Sequence, residues 1–242
     1  MNSPTPSSPA LSSAVHSSIP VVTIDGPAAS GKGTLAASLA AALGFHLLDS
    51  GLFYRMIGWK ALDSGVPLSD EAALARLAAD LRPRFEGKTE EGSEAIWLEG
   101  RELSLALRRQ EVGTAASKVA ALAGVRAALL QAQREARRMP GLVADGRDMG
   151  TVVFPDAICK IFITAGVEAR AQRRYKQLIE KGLPSNITTL LQEIGERDAR
   201  DAGRDVAPLK AAPDALEIDT TTLDVAVVLA QVLAYCRSRL EG

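Results

Sequence analysis

The chain has 242 residues, 47% of them hydrophobic but only 4% aromatic, which suits one large α/β domain or two small ones with a core of Ala, Leu, Val and Ile. Its 28 basic and 29 acidic residues leave a formal charge of -1, which argues against the broad basic face of a general nucleic-acid binder but permits a local anion pocket. Cys159 and Cys236 have no metal-ligand spacing and make no disulfide framework, and no apolar run is long enough to span a membrane.

Residues 1–19 hold Pro4, Pro6 and Pro9 among many serines and no lysine or arginine. They lack the basic start and apolar centre of a secretory signal, so a disordered leader before a folded body at 20–242 is expected, in a cytoplasmic protein. Residues 21–24, Val-Val-Thr-Ile, read as the first core strand, and 32–43 as the helix after it. Between them runs Gly26-Pro27-Ala28-Ala29-Ser30-Gly31-Lys32-Gly33-Thr34. A strand, a glycine-rich turn and a helix make a socket in which successive N–H groups converge on phosphate oxygens and Lys32 reaches the terminal phosphates. The match to the P-loop is close, with one difference: Gly33 stands where most such loops carry Ser or Thr, and the hydroxyl arrives at Thr34. The expected ligand is a nucleoside triphosphate.

Residues 46–48 predict a short strand, followed by helices near 52–61 and 70–81, with Ser69 in the cap region of the second. His46 reads as structural. The stretch 82–103, with Phe85, Ile96-Trp97-Leu98 and the turn Glu99-Gly100, predicts a small antiparallel β insert. Residues 104–138 predict helices interrupted near Gly124, 141–144 and 159–163 core strands, and 168–181 a helix. Asn186 caps the next helix, to about 201; a strand at 215–218 and a helix at 223–235 close the chain. Strands alternating with helices predict a parallel α/β sheet.

Three polar clusters follow predicted elements. Asp49-Ser50-Gly51 with Tyr54 and Arg55 lies past a strand end, where α/β sheets meet ligands: Ser50 can donate a hydrogen bond, Tyr54 can shape a substrate site and Arg55 can neutralise phosphate. A capped helix with an ordinary surface arginine is the competing reading. Asp145-Gly146-Arg147-Asp148-Met149-Gly150 occupies the same position after another strand. Arg147 can fork onto phosphate, Asp148 can accept from a base amino group, and Asp145 can organise the P-loop or a hydrated metal, unless the segment is only a turn. On a helix, Arg197 and Asp201 stand one turn apart, as do Arg200 and Arg204, which fits either a substrate site or a solvated ion-pair network. Arg173-Arg174 add basic groups on an earlier helix.

From residue 20 to 242 the chain closely resembles bacterial cytidylate kinases. The marks are Ile24-Asp25-Gly26-Pro27, Gly31-Lys32-Gly33-Thr34, the run Leu48-Asp49-Ser50-Gly51-Leu52-Phe53-Tyr54-Arg55, Ala116-Ser117, the long segment from Asp145 to Asp156, and Glu196-Arg197-Asp198-Ala199-Arg200-Asp201. The resemblance implies a P-loop kinase core with a five-stranded parallel sheet, a monophosphate-binding insert at about 82–103 and a helical lid at about 166–181. It implies transfer of the ATP γ-phosphoryl group to CMP or dCMP. Ser117, Arg126 and Asp148 would read cytosine; Arg197 and Asp201 would contact the sugar; Arg55, Arg147 and Arg204 would hold the acceptor phosphate; Arg173 would approach the ATP phosphates from the lid. Lys32, Arg147, Arg173 and Arg204 are thus the expected catalytic groups. Mg²⁺ is expected on the ATP phosphates; its protein ligands are left open, with Thr34 placed to meet the metal directly, to meet it through water, or to contact phosphate instead.

Cytosine offers an N4 donor to Asp148 and ring acceptors to Arg126, whereas uracil meets Asp148 with the wrong polarity, a mismatch of about 1–3 kcal/mol. A broader pyrimidine monophosphate kinase that accepts UMP and a non-enzymatic ATP-binding module are the alternatives. Neither nucleic acid nor membrane is an expected partner, and without an obvious assembly helix the chain is expected to be a monomer.

Overall fold

The computed structural model describes residues 19–89, 94–180, 182 and 184–241. Strand β1 (Val21–Asp25) is buried throughout and runs through the phosphate loop into α1 (Lys32–Leu43). Its β-branched start suits a strand covered on both faces. β2 (His46–Asp49) leads into α2 (Ser50–Asp63), where the Asp49 side chain accepts the Gly51 N–H, and then α3 (Glu71–Ala79). Strands β3 (Arg84–Lys88), β4 (Glu94–Leu98) and β5 (Arg101–Glu102) form the antiparallel insert.

A 3₁₀ turn at Ala106–Arg108 precedes α4 (Gln110–Val119) and α5 (Ala123–Glu135). β6 (Leu142–Gly146) ends in a single π-turn, Met149–Val153, before β7 (Cys159–Thr164). Helices α6 (Val167–Glu180) and α7 (Ile187–Ala202), strand β8 (Leu216–Asp219) and α8 (Val225–Leu240) complete the chain.

The five long-range strands form one parallel sheet in the order β2-β6-β1-β7-β8. Alternation along the strands divides the core between the two faces. Leu142 and Ala144 of β6 join Phe53, Met56, Ile57 and Leu129 on the side of α2–α5, while Val143 joins Val22, Ile24, Leu35 and Val232 on the side of α1 and α8. Cys159 and Cys236 are buried in the second cluster, as small hydrophobes. Ala171, Leu190 and Ile194 tie α6 to α7 in a third, separate cluster that also takes in Ala29 of the phosphate loop. Among the described residues no single helix is long and apolar enough to cross a membrane.

The fold class follows the sequence expectation, and the departures are local. Asp70, next to Ser69, caps α3, accepting the Ala73 N–H at 2.9 Å, because the helix starts at Glu71 and leaves Asp70 at the capping position. The helical break falls at residues 120–122 instead of at Gly124, which lies in the first turn of α5 with its N–H on Glu71 of α3. Arg204 lies beyond the end of α7, past Gly203, so it does not share a helical row with Arg200. Asn186 does cap α7, accepting from Thr188 and Thr189, and His46 is tied to the Met139 carbonyl at 2.8 Å. The leader expectation for residues 1–18 lies outside the described residues; Ile19 is buried, and its carbonyl accepts Arg137 Nε at 2.8 Å.

Gly26 shows how tightly the phosphate loop is built into the sheet. Its φ is +152°, and a Cβ there would stand 2.2 Å from the Ile163 carbonyl oxygen of β7. Gly26→Ala should therefore lower stability by about 3 kcal/mol or more in denaturant unfolding. A variant that melts with the wild type would show that the loop has slack here.

Candidate active site

The crevice lies at the carboxyl ends of β1, β2 and β6, where the polar clusters of the sequence come together. Gly31 takes a left-handed conformation, φ +91°, and starts α1, so the first N–H groups of the helix point into the loop as an anion site. Ser30 Oγ donates to the Pro27 carbonyl at 3.0 Å and closes the loop on itself. Lys32 is buried, with Nζ 3.4 Å from the Pro27 carbonyl and 3.8 Å from Asp145 Oδ1. Burial, and then the neighbouring Arg147, lower its ammonium to about 8. Burial raises the Asp145 carboxyl to about 6, against the pull of Lys32. A Cβ on Gly33 would sit 3.3 Å from Asp145 Oδ2, so the missing side chain at this P-loop position leaves space beside that carboxylate.

Ahead of the loop lies a cleft of about 230 Å³ lined by Lys32, Arg55, Arg126, Arg147, Arg197 and Arg204 against Asp49, Asp145 and Asp148. Six cations facing three carboxylates favour an anionic occupant. Asp201, 1% exposed, organises three of them: Arg147 Nε donates to it at 2.9 Å, Arg204 pairs with it, and Arg197 Nε stands 4.0 Å away. Burial would raise the Asp201 carboxyl, but Arg147 and Arg204 outweigh it and hold it below the usual carboxylate range. Burial and Arg147 push Arg197 down in turn. The buried Nε atoms of Arg126, Arg197 and Arg204 have no hydrogen-bond partner. Such donors carry a penalty that an anion or a base acceptor would relieve.

In the same cleft, Arg126 and Asp148 form a buried ion pair, 8% and 2% exposed. Arg126 also donates to the Ala120 carbonyl at 3.1 Å, and its guanidinium lies 5.7 Å from the centre of the Tyr54 ring. Ser117 is buried beside them, and Arg200 Nε lies 3.3 Å from its oxygen. That bond takes one of the two lone pairs on the Ser117 hydroxyl and leaves its O–H and the other lone pair open to a ligand. The Asp25 carboxylate accepts the N–H groups of Met149 and Gly150, both at 2.8 Å. Burial raises Asp25 to about 7.

All the acceptor-side residues expected from the sequence line this cleft except Asp201, which stands behind the arginines, and two of the lining groups are partly engaged elsewhere. Ser50 Oγ donates to the Asp145 carbonyl at 2.8 Å, and Arg55 Nη1 to the Leu107 carbonyl at 2.7 Å. Arg173 lies outside the cleft lining. It donates to the Ser30 carbonyl at 3.3 Å and to the backbone of Thr220 and Thr221, bridging α6, the phosphate loop and the end of β8. Sequence reasoning assigned no role to Asp25, or to Arg170, whose guanidinium joins the Ala28 carbonyl of the phosphate loop to Asp198. The one available signal was placement: Asp25 is a charged residue ending an otherwise uncharged strand.

A phosphate loop and a buried acid–guanidinium pair in one cationic cleft define a P-loop phosphotransferase of the nucleotide kinase type. A family profile described as cytidylate kinase matches residues 22–238. Curated cytidylate kinases from Aeromonas salmonicida, Chromobacterium violaceum and Cupriavidus necator are 56%, 54% and 52% identical to the chain. Those alignments cover 91%, 90% and 89% of this chain and 95%, 95% and 94% of the relatives. The chain belongs to the cytidylate kinase family.

Proposed function

We propose that the protein transfers the γ-phosphoryl group of ATP to CMP or dCMP, giving ADP and CDP or dCDP by direct in-line displacement. The observation that carries this reading is the buried Arg126–Asp148 pair, which shares one cleft with the phosphate-loop lysine. Asp148 accepts the cytosine N4 amino hydrogen, Arg126 donates to the ring acceptors, and Ser117, held by Arg200, offers its hydroxyl alongside. The unpartnered Nε of Arg126 is the donor the pair has left over.

Arg147 and Arg204, braced by Asp201, together with Arg55, hold the acceptor phosphate, and Arg197 meets the sugar, with Asp201 behind it. One oxygen of that phosphate attacks the γ-phosphorus of ATP while the bond to the β–γ bridging oxygen breaks and ADP leaves. The acceptor oxygen is already ionised, so no side-chain base is required, and the protein's part is positioning and charge stabilisation. Lys32 and the N–H groups at the start of α1 neutralise the transferring group, joined by Arg147 and Arg204 from the acceptor side.

Asp145 Oδ1 is buried without a hydrogen-bond partner, and Gly33 leaves room beside the same carboxylate. Those features fit Mg²⁺ held by Asp145, directly or through water, with Thr34 as a further oxygen donor. Among the described residues no cluster of three or more His, Cys, Asp or Glu makes a metal site, so ATP phosphate oxygens would complete the shell. The ion supplies charge neutralisation on the ATP phosphates.

The separate α6–α7 cluster supports reading residues 166–181 as a lid. Closure would exchange the backbone bonds of Arg173 for ATP phosphate oxygens and exclude water from the cleft. The test is a coupled assay with ATP and CMP, dCMP, UMP or AMP as acceptor. Efficient turnover of CMP and dCMP with poor use of UMP and AMP is expected. Equal use of UMP would support the broader pyrimidine kinase, and ATP binding with no CDP formed would leave only an interaction module.

A further inference from the structure

Asp25 stands at the end of β1, one residue before the phosphate loop, and is 5% exposed. Its side chain serves neither nucleotide directly. Oδ1 takes the Met149 N–H and Oδ2 the Gly150 N–H, each at 2.8 Å. These are the two residues after Asp148, at the start of the π-turn, where backbone donors have no partner within the turn and the side chain of Asp148 provides no cap. A single carboxylate from another strand therefore caps the turn and fixes the two peptide planes that follow Asp148.

Packing leaves this turn little freedom. A Cβ on Gly150 would lie 2.8 Å from Thr23 Oγ1, and a Cβ on Gly146 would lie 2.7 Å from Met149 Cγ. Thr23 and Asp25 are two residues apart on β1 and so share one face, pressing and holding the turn between them. An apolar residue at position 25 would suit the buried strand better, but it would leave two buried N–H groups unpaired.

We propose that Asp25 is a positioning residue for the acceptor base: by holding the Met149 and Gly150 N–H groups it sets the Asp148 carboxylate against Arg126. The strand that starts the ATP loop thereby also templates cytosine recognition. This inference rests on the reading of Asp148 as the acid that accepts from cytosine.

Asp25→Asn keeps one acceptor oxygen and turns an amide donor towards an N–H. KM for CMP should rise about tenfold or more, with the CMP-over-UMP preference narrowing and KM for ATP staying within about twofold. A parallel rise in both KM values, or an unchanged KM for CMP, overturns the inference. Should Asp25→Asn lose its cooperative melt, Gly150→Ala displaces the same N–H groups from the other side. It should raise KM for CMP selectively, and adding Thr23→Ala should reverse most of that rise. No selective rise in Gly150→Ala would again overturn it. Asp148→Asn run beside them separates the two failures. If Asp148→Asn narrows base preference and Asp25→Asn does not, positioning alone fails; if Asp148→Asn leaves preference unchanged, the base reading and this inference fall together.

Discussion

Replacing Lys32 with alanine should lower kcat by about two to three decades, equivalent to ~3–4 kcal/mol of lost transition-state stabilisation. Lys32 begins α1 where the helix N–H groups converge and is the cation of the phosphate loop itself. Its removal should spare the fold. The native state holds the Lys32 ammonium at about 8, below its ordinary 10.5, through burial and Arg147. A lowered lysine pKa means that folding disfavours the charge at neutral pH, so the variant escapes that penalty. Loss of the cation 3.8 Å from the buried Asp145 carboxylate offsets that relief, so the Tm should stay close to the wild type's, and steady-state kinetics at saturating Mg²⁺ provide the check. A kcat/KM near the wild-type value would remove Lys32 from the mechanism.

Asp148→Asn should cut CMP efficiency and narrow the CMP-over-UMP preference by about tenfold, the equivalent of ~1.4 kcal/mol. The amide keeps an oxygen for Arg126 or for the N4 amino group and adds a donor that suits the uracil carbonyl. Charge, more than shape, is what changes at this 2% exposed position. Arg126 then loses its buried counter-ion, a loss that can cost about 3–5 kcal/mol of stability, so the comparison belongs below the variant's melting temperature. KM for ATP should change much less, because Asp148 is paired with Arg126, whereas the phosphate-loop lysine faces Asp145. Equal loss of CMP and UMP activity would instead mark Asp148 as a group that positions phosphate or the loop.

Much of this architecture was legible because it rests on local rules. The strand–loop–helix around Lys32, the Asn186 cap and the antiparallel insert each follow from residue types at short spacing. The polar segments after β2 and β6 were legible by position, since the ends of parallel strands are where polar groups meet ligand. The pairings across the site were not. Asp25 with the Met149 and Gly150 N–H groups, Arg200 with Ser117, and Arg173 with Thr220 join residues 47 to 125 positions apart, and only the closed sheet brings them together. Arg204 was misplaced onto the α7 row because the helix stops at Ala202, with Gly203 at its end, just short of Arg204. The π-turn had no sequence signal of its own, and its first two N–H groups are held by Asp25 from another strand.

A crystal structure with CMP and a nonhydrolysable ATP analogue tests the central claim most directly. The account predicts the cytosine N4 within hydrogen-bond distance of the Asp148 carboxylate, ring acceptors facing Arg126, and the CMP phosphate on Arg147 and Arg204 in line with the γ-phosphate at Lys32. Cytosine bound away from Asp148 and Arg126, with its phosphate still on the arginines, would contradict it.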